Sequence, residues 1–287
     1  MFSLSFYLSL NYGAVKALAE LKNPMELYFF NIILILYLVV SLGYLFYLVF
    51  ENETILKYTR HLTTAVLVLH TLFLGGYLYQ TQELNRFDPS FVYILCAWLL
   101  ALVYSIYNFK YKLKAVGVLV FPGATIFFFL GYFNLRIQPS PSVLLTSPWA
   151  SIHIVLSFLS LSVFVLSFIL AILFFLQEFQ IKHKKFLSVF TRLPSLETMD
   201  IIHARAMSAG FLLLTLAIIT GAMWAYSVRG VIFYKDPRQL WTIGAWLIYG
   251  LFLQGRYSAK WRGRRGMLLS CLGFVIIIFT FVGVRHS

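Results

Sequence analysis

Eight separate apolar runs, each close to the length a helix needs to cross a lipid hydrocarbon layer, leave this chain almost no other way to fold. A spanning helix takes about 20 residues, and the runs fall at about 27–50, 62–80, 90–108, 115–134, 150–177, 206–227, 239–255 and 267–284. Backbone groups in hydrocarbon must be satisfied within their own segment, and the short alternating strands of a barrel are absent, so the runs are helices. The expected class is all-α: a polytopic integral membrane protein with eight transmembrane helices over residues 26–287. Residues 1–25 are mixed in polarity and lack both a basic start and a small-residue cleavage site, so they read as an external interfacial segment rather than a signal peptide.

Composition closes off the alternatives. Only 11% of residues are charged, against about 25% in soluble domains. Plentiful Phe (29) and Tyr (18) exclude disorder, and both cysteines, Cys96 and Cys271, fall inside apolar runs, which excludes a disulfide scaffold. The net charge of +13 does not point to nucleic acid, because the basic residues sit in short loops between spans rather than on a domain face.

Those loops set an orientation. Lys57 and Arg60, then Lys110, Lys112 and Lys114, then Lys182, Lys184, Lys185, Arg192 and Arg205, then Arg256, Lys260, Arg262, Arg264 and Arg265 hold fifteen of the 23 Lys and Arg. By the positive-inside rule these alternate loops are cytoplasmic and both termini external. The loop at about 225–240 is then external. The longest cytoplasmic stretch, 178–205, reads as helical at both ends around Leu193-Pro194-Ser195, and is either a solvated connector or a basic docking surface. Pro122-Gly123 is expected to kink the fourth span.

The polar inventory narrows function. Away from their ends the eight runs hold no Asp, Glu, Lys or Arg, which disfavours ion-coupled transport and voltage sensing. Histidine remains: His70 near the middle of span two, His153 about one turn into the external end of span five, and His286 just past the external end of span eight. Between spans six and seven lie Trp224, Tyr226, Phe233, Tyr234 and Trp241 with Arg229, Lys235, Arg238 and a single carboxylate, Asp236. Rings that stack and cations that reach carboxylates suit a flat, apolar, dianionic ligand such as haem, with two imidazoles as axial ligands. Each piece also has a plainer reading, as an interfacial histidine, an aromatic belt or solvated cations. His70 is either a ligand or a helix-packing contact that satisfies a midplane imidazole.

Several segments resemble one family. Gly210-Phe211 through Gly221-Ala-Met-Trp224, then Asp236-Pro237, then Leu240-Trp241 through Trp246-Leu-Ile-Tyr249 look like the haem-handling cytochrome c assembly family of CcsA, ResC and CcmC, with the shorter HemX-type proteins as relatives. Trp149-Ala-Ser-Ile-His153 and Val282-Gly-Val-Arg-His286 resemble its two histidine segments, with weaker similarity at His70-Thr71, Arg86-Phe87 and Phe121-Pro122-Gly123. The resemblance implies haem b held at the external loop, His153 and His286 as axial ligands, Trp224, Phe233 and Trp241 as an aromatic platform, and Asp236 fixing the loop. Arg229 or Arg238 meeting a haem carboxylate is inferred from charge.

It also implies a CcsB-like membrane partner and delivery of haem to apocytochrome c, as the haem-handling component of a cytochrome c synthase. Two departures stand out. The loop has Arg229, Phe233 and Lys235 where the family has further tryptophans, and Gln254 stands where some members carry a membrane histidine. A HemX-like regulator of glutamyl-tRNA reductase, contacting that enzyme through 178–205, is the alternative.

Overall fold

A computed structural model describes residues 24–81, 89–134, 147–184, 192–232 and 237–282. They form eight helices: α1 (Pro24–Phe50), α2 (Glu53–Thr81), α3 (Pro89–Tyr111), α4 (Gly117–Asn134), α5 (Pro148–His183), α6 (Leu196–Arg229), α7 (Pro237–Tyr257) and α8 (Arg264–Val282). No strand occurs among the described residues. Each helix covers most of one expected run. Tyr28–Phe50, Glu53–Tyr79, Ser90–Tyr111, Pro148–His183 and Leu196–Arg229 are long and apolar enough to cross a membrane by themselves, and Gly117–Phe133 is a shorter apolar helix. The N-terminal segment lies outside the described residues, apart from the first residues of α1.

Three helices outrun their apolar stretches. α2 begins at Glu53 because the Asn52 side chain accepts from the backbone N–H groups of Thr54 (2.9 Å) and Ile55 (3.2 Å), satisfying two donors that a helix start leaves over. α5 continues to His183 and closes with Lys184 in a left-handed conformation, φ 52°. α6 starts after Pro194, where the Ser195 hydroxyl accepts from Thr198 N–H (3.2 Å). The 178–205 stretch is thus helical at both ends, as expected. An apolar run marks only the hydrocarbon crossing; capping decides how far the helix extends beyond it. α4 continues through Pro122.

The helices are apolar on both faces, and the split between faces identifies the solvent. On α1, Phe30, Ile33, Tyr37, Val40, Tyr44 and Tyr47 are buried, a three-four spacing that makes a narrow packing seam. Its other side exposes Phe29, Ile32, Ile35, Leu38, Leu42 and Phe46. On α2 the buried set is Leu56, Thr59, Thr63, Val66, His70 and Leu74. So much exposed aliphatic and aromatic surface is stable only against lipid. The chain is an integral membrane protein.

Two interiors lie side by side. The larger core is aromatic-rich where α1–α4 meet, with Phe30 stacked on Phe128 (4.3 Å between centroids) and Tyr44 on Phe121 (5.1 Å), and it runs on into α5 and the first turns of α6 through Leu166, Leu170, Met199 and Ile202. Helices α5–α8 enclose a second, centred on Phe164 stacked on Tyr249 (4.1 Å) with Phe252, Phe274 and Ile277. α5 joins them, packing extensively on α6 and also on α3 and α8.

All ion pairs among the described residues sit at one end of this bundle. Lys114 meets Glu53 at 2.7 Å, Arg192 meets Glu51 at 2.5 Å, and Glu178 takes both Lys182 (2.8 Å) and Arg264 (3.4 Å). Arg256 grips Asp200 at 2.7 Å, and Asp200 also accepts from Gly263 N–H. The four basic loops read from the sequence therefore share one face, which anchors the helices whose opposite ends carry His153 and Trp224.

Candidate functional site

His153 stands on the second turn of α5, at the face away from the ion pairs. Its Nδ1 lies 2.7 Å from the carbonyl oxygen of Ala217 on α6. A carbonyl only accepts, so Nδ1–H donates and Nε2 carries the lone pair. A second group that fixes ring orientation and tautomer is the usual support of an imidazole ligand. The ring fits there because residue 221 is glycine: a Cβ at Gly221 would come within 2.8 Å of the His153 ring. Trp224, one turn further along α6, lies 5.9 Å from the imidazole between centroids, tilted 36°. Just beyond, the Ser227 hydroxyl donates to Ser147, the residue preceding α5 (3.1 Å), and holds the two helix ends together.

α6 stops at Arg229 because Gly230 adopts φ 70° and returns its N–H to Tyr226. Arg229 is exposed at this terminus, beside the segment on which the expected platform falls. Trp241 stands on the first turn or so of α7, 42% exposed, and meets Phe279 of α8 edge-on at 5.0 Å. α7 is held to α6 nearer the middle, where Trp246 stacks on Phe211 (5.4 Å) and donates its indole N–H to Thr215 (2.9 Å). Phe233, Asp236 and His286 lie outside the described residues, as does the side chain of Arg238. His286 follows the end of α8 by four positions.

The structure thus brings His153 and Trp224 together on α5 and α6, and seats Trp241 on the α7–α8 pair. His70 belongs elsewhere. It is fully buried between α1, α2 and α4, with Tyr37 at 3.0 Å from Nδ1, Phe73 and Phe128 against its ring, and Nε2 buried without a partner.

Some residues that shape this half were not singled out from sequence. Gly221 is one; in the sequence it stood out only as part of the family-like segment that ends at Trp224, with no role attached to it. The Asp200–Arg256 pair is another, joining positions 56 apart whose side chains are 11% and 12% exposed. Beside it His203, 1% exposed, bonds Ser270 at 2.7 Å, and since Ser270 gives its proton to Met267 O, the imidazole donates.

The donor set can be tested against haem. Among the described residues no three His, Cys, Asp or Glu side chains converge on a metal ion, so no bare-metal cage forms there. A porphyrin brings four nitrogens of its own and asks of the protein one or two axial imidazoles and apolar walls. His153, with Nδ1 tied down and an indole alongside, fits the first requirement, and the exposed indole of Trp241 fits the second.

Comparison with known proteins shows the family. The family model described as "Cytochrome C assembly protein" matches residues 89–287, from the start of α3 to the last residue. "Cytochrome c biogenesis protein CcsA" of Guillardia theta is 29% identical over 224 residues, covering 70% of this chain and 73% of that protein. The protein of the same name from Chlamydomonas reinhardtii is 28% identical over 219 residues, covering 71% of this chain but 60% of its own length. Among solved structures, "Cytochrome c Heme Lyase CcmF" overlays with a TM-score of 0.64 on 91% of this chain and 47% of that chain, at 14% identity, a likeness of fold. The chain spans under half of that structure and under two thirds of the second relative. With a family match that runs over α3–α8, more than half of its length, the chain belongs to the cytochrome c assembly protein family.

Proposed function

We propose that this protein holds haem b at the face where α5 begins and α6 ends, between the imidazoles of His153 and His286, and presents it for attachment to apocytochrome c. The observation that carries this reading is the geometry of His153: Nδ1 donating to Ala217 O at 2.7 Å, which leaves Nε2 as the ligand nitrogen, in a space that only glycine at 221 leaves open. All eight helices cross the membrane in this reading, with both termini and the 225–240 segment external and the ion-paired face in the cytoplasm. The membrane is the cytoplasmic one, or its equivalent in an organelle.

Within that arrangement each side chain has a limited task. His153 holds the iron in a fixed ring orientation, and Trp224, Trp241 and Phe233 give apolar walls that exclude water. Arg229 and Arg238 neutralise carboxylates, and Asp236 fixes the turn before Pro237. When bound, the cofactor supplies two vinyl groups to which the thiols of a reduced Cys-x-x-Cys-His site add. The chain needs no nucleophile of its own, and its contribution is orientation. It acts as the haem-handling component of a synthase alongside a CcsB-like membrane partner. Similarity to the CcsA relatives, named as cytochrome c biogenesis proteins, supports the process.

The test is an absorption spectrum of the purified protein, ferric and reduced, with haem quantified, for the parent and for His153→Ala and His286→Ala. The expected result is a near-stoichiometric Soret band that shifts or vanishes in both variants, together with loss of holocytochrome c from cells in which the protein persists in the membrane. Full cytochrome c maturation with both histidines replaced overturns the proposal.

A further inference from the structure

Two cations converge on one phenol ring at the ion-paired face. Tyr111 closes α3, and Arg205, 94 positions later on α6, donates from Nη1 to its oxygen at 2.9 Å, with Cζ 5.6 Å from the ring centroid. Lys110 Nζ lies 5.5 Å from the same centroid. Both cations are exposed, and like charges drawn to one neutral ring repel each other. The carboxylates of this face are engaged elsewhere: Glu53 by Lys114, Glu51 by Arg192, Glu178 by Lys182 and Arg264, and Asp200 by Arg256. Glu197 precedes Arg205 by eight positions on α6, about 12 Å along the helix.

The setting is the edge of the hydrocarbon layer. On α3, Ile106, Phe109 and Lys110 share one outward stripe, and on α6 Ile201, Arg205 and Leu212 share another. These apolar side chains are exposed, Phe109 by 92%, and they face lipid, so an anion that reaches both cations from that side carries hydrocarbon with it. The donors suit a phosphodiester. Arg205 has N–H groups beyond the one it gives Tyr111, Tyr111 accepts from Arg205 and keeps its own O–H to donate, and Lys110 adds a point charge. Ser208, one turn after Arg205, gives its proton to Ala204 O, so Tyr257 at the end of α7 donates to Ser208 at 3.0 Å. That bond sets a second exposed phenol ring at headgroup level.

We propose that this ledge binds one anionic phospholipid, its phosphate held by Arg205, Lys110 and the Tyr111 hydroxyl and its acyl chains lying along Ile106 and Leu212. Such a lipid bridges α3 to α6. The site lies at the face opposite His153 and is independent of haem handling.

The full-length chain, delipidated in a neutral detergent, is titrated with phosphatidylglycerol or with phosphatidylcholine, and bound lipid is counted by native mass spectrometry. The chains compared are the parent, Arg205→Gln, Lys110→Gln and Lys57→Gln, the last removing the same charge from an exposed position on α2 at the same face. The parent is expected to hold one phosphatidylglycerol in preference to phosphatidylcholine. Affinity for it should fall by about fivefold or more in Arg205→Gln and in Lys110→Gln, and stay unchanged in Lys57→Gln. Without lipid all four chains should share one thermal transition, since the replaced side chains are exposed, and phosphatidylglycerol should raise it most in the parent and Lys57→Gln.

Parent-like binding in both Arg205→Gln and Lys110→Gln overturns the proposal. An equal loss in Lys57→Gln does so too, because the lipid then answers to the charge of the whole face. Equal affinity for phosphatidylcholine removes the role of the anion, and displacement of the lipid by an equal concentration of inorganic phosphate makes the ledge a site for a free anion instead.

Discussion

The surroundings of His70 and His153 are built on opposite plans. Both are neutral imidazoles on long apolar helices, and both have one nitrogen engaged, by Tyr37 in the first case and by Ala217 O in the second. Around His70 the rings of Tyr37, Phe73 and Phe128 close on all sides and the second nitrogen is sealed in. Around His153 the neighbouring residue on α6 is a glycine, the start of α5 is near, and the ring in contact among the described residues, Trp224, is tilted alongside at 5.9 Å. The difference teaches that residue type and membrane position do not decide whether an imidazole is sealed in or left open; its neighbours do.

The comparison can be broken most directly by exchanging haem retention for stability as the readout. His153→Ala is expected to cost the Soret band and holocytochrome c while the thermal transition of the protein in detergent hardly moves. Gly221→Leu should reproduce much of that loss with both histidines intact, because the added side chain occupies the space of the ring; retention of full haem binding in Gly221→Leu would show that the ring position is not set by this contact.

Sequence made part of this pattern visible and not the rest. The eight helices were legible because lipid imposes a length and an apolar content that can be read locally, and the shared face of the four basic loops was legible from charge alone. His153 was legible through its depth and its resemblance to a histidine segment. Gly221 was not, because its role is the absence of a side chain opposite a residue 68 positions away. The Asp200–Arg256 pair escaped because the apolar run begins at 206, ten residues after α6 itself starts at Leu196.

Smaller effects sharpen the contrast between the two ends of the bundle. Asp200→Asn leaves Arg256 nearly buried and uncompensated, and should destabilise the α6–α8 unit by about 3–5 kcal/mol, measured as an earlier thermal transition. Lys182→Ala, at a pair 56% exposed on the lysine side, should cost at most about 0.5 kcal/mol. His70→Ala opens a cavity and strips Tyr37 of its partner, a loss of about 2–4 kcal/mol, with haem at the His153 site unchanged. Ser227→Ala should cost less than His70→Ala, at about 0.5–1 kcal/mol, read as faster hydrogen exchange at the ends of α5 and α6.

The Asp200–Arg256 pair also bears on how the protein is made. Asp200 is synthesised before its partner, and α6 must leave the ribosome and enter the membrane while the guanidinium that will neutralise the carboxylate is still 56 residues behind it. Until α7 arrives, α6 carries a charge near its N-terminal end that disfavours release into lipid. The two helices are therefore expected to leave the insertion machinery as a hairpin, with the segment between them, which holds Phe233 and Asp236, crossing as its tip. A chain stopped after α6 should linger at the translocation site, and one carrying Asp200→Leu should not.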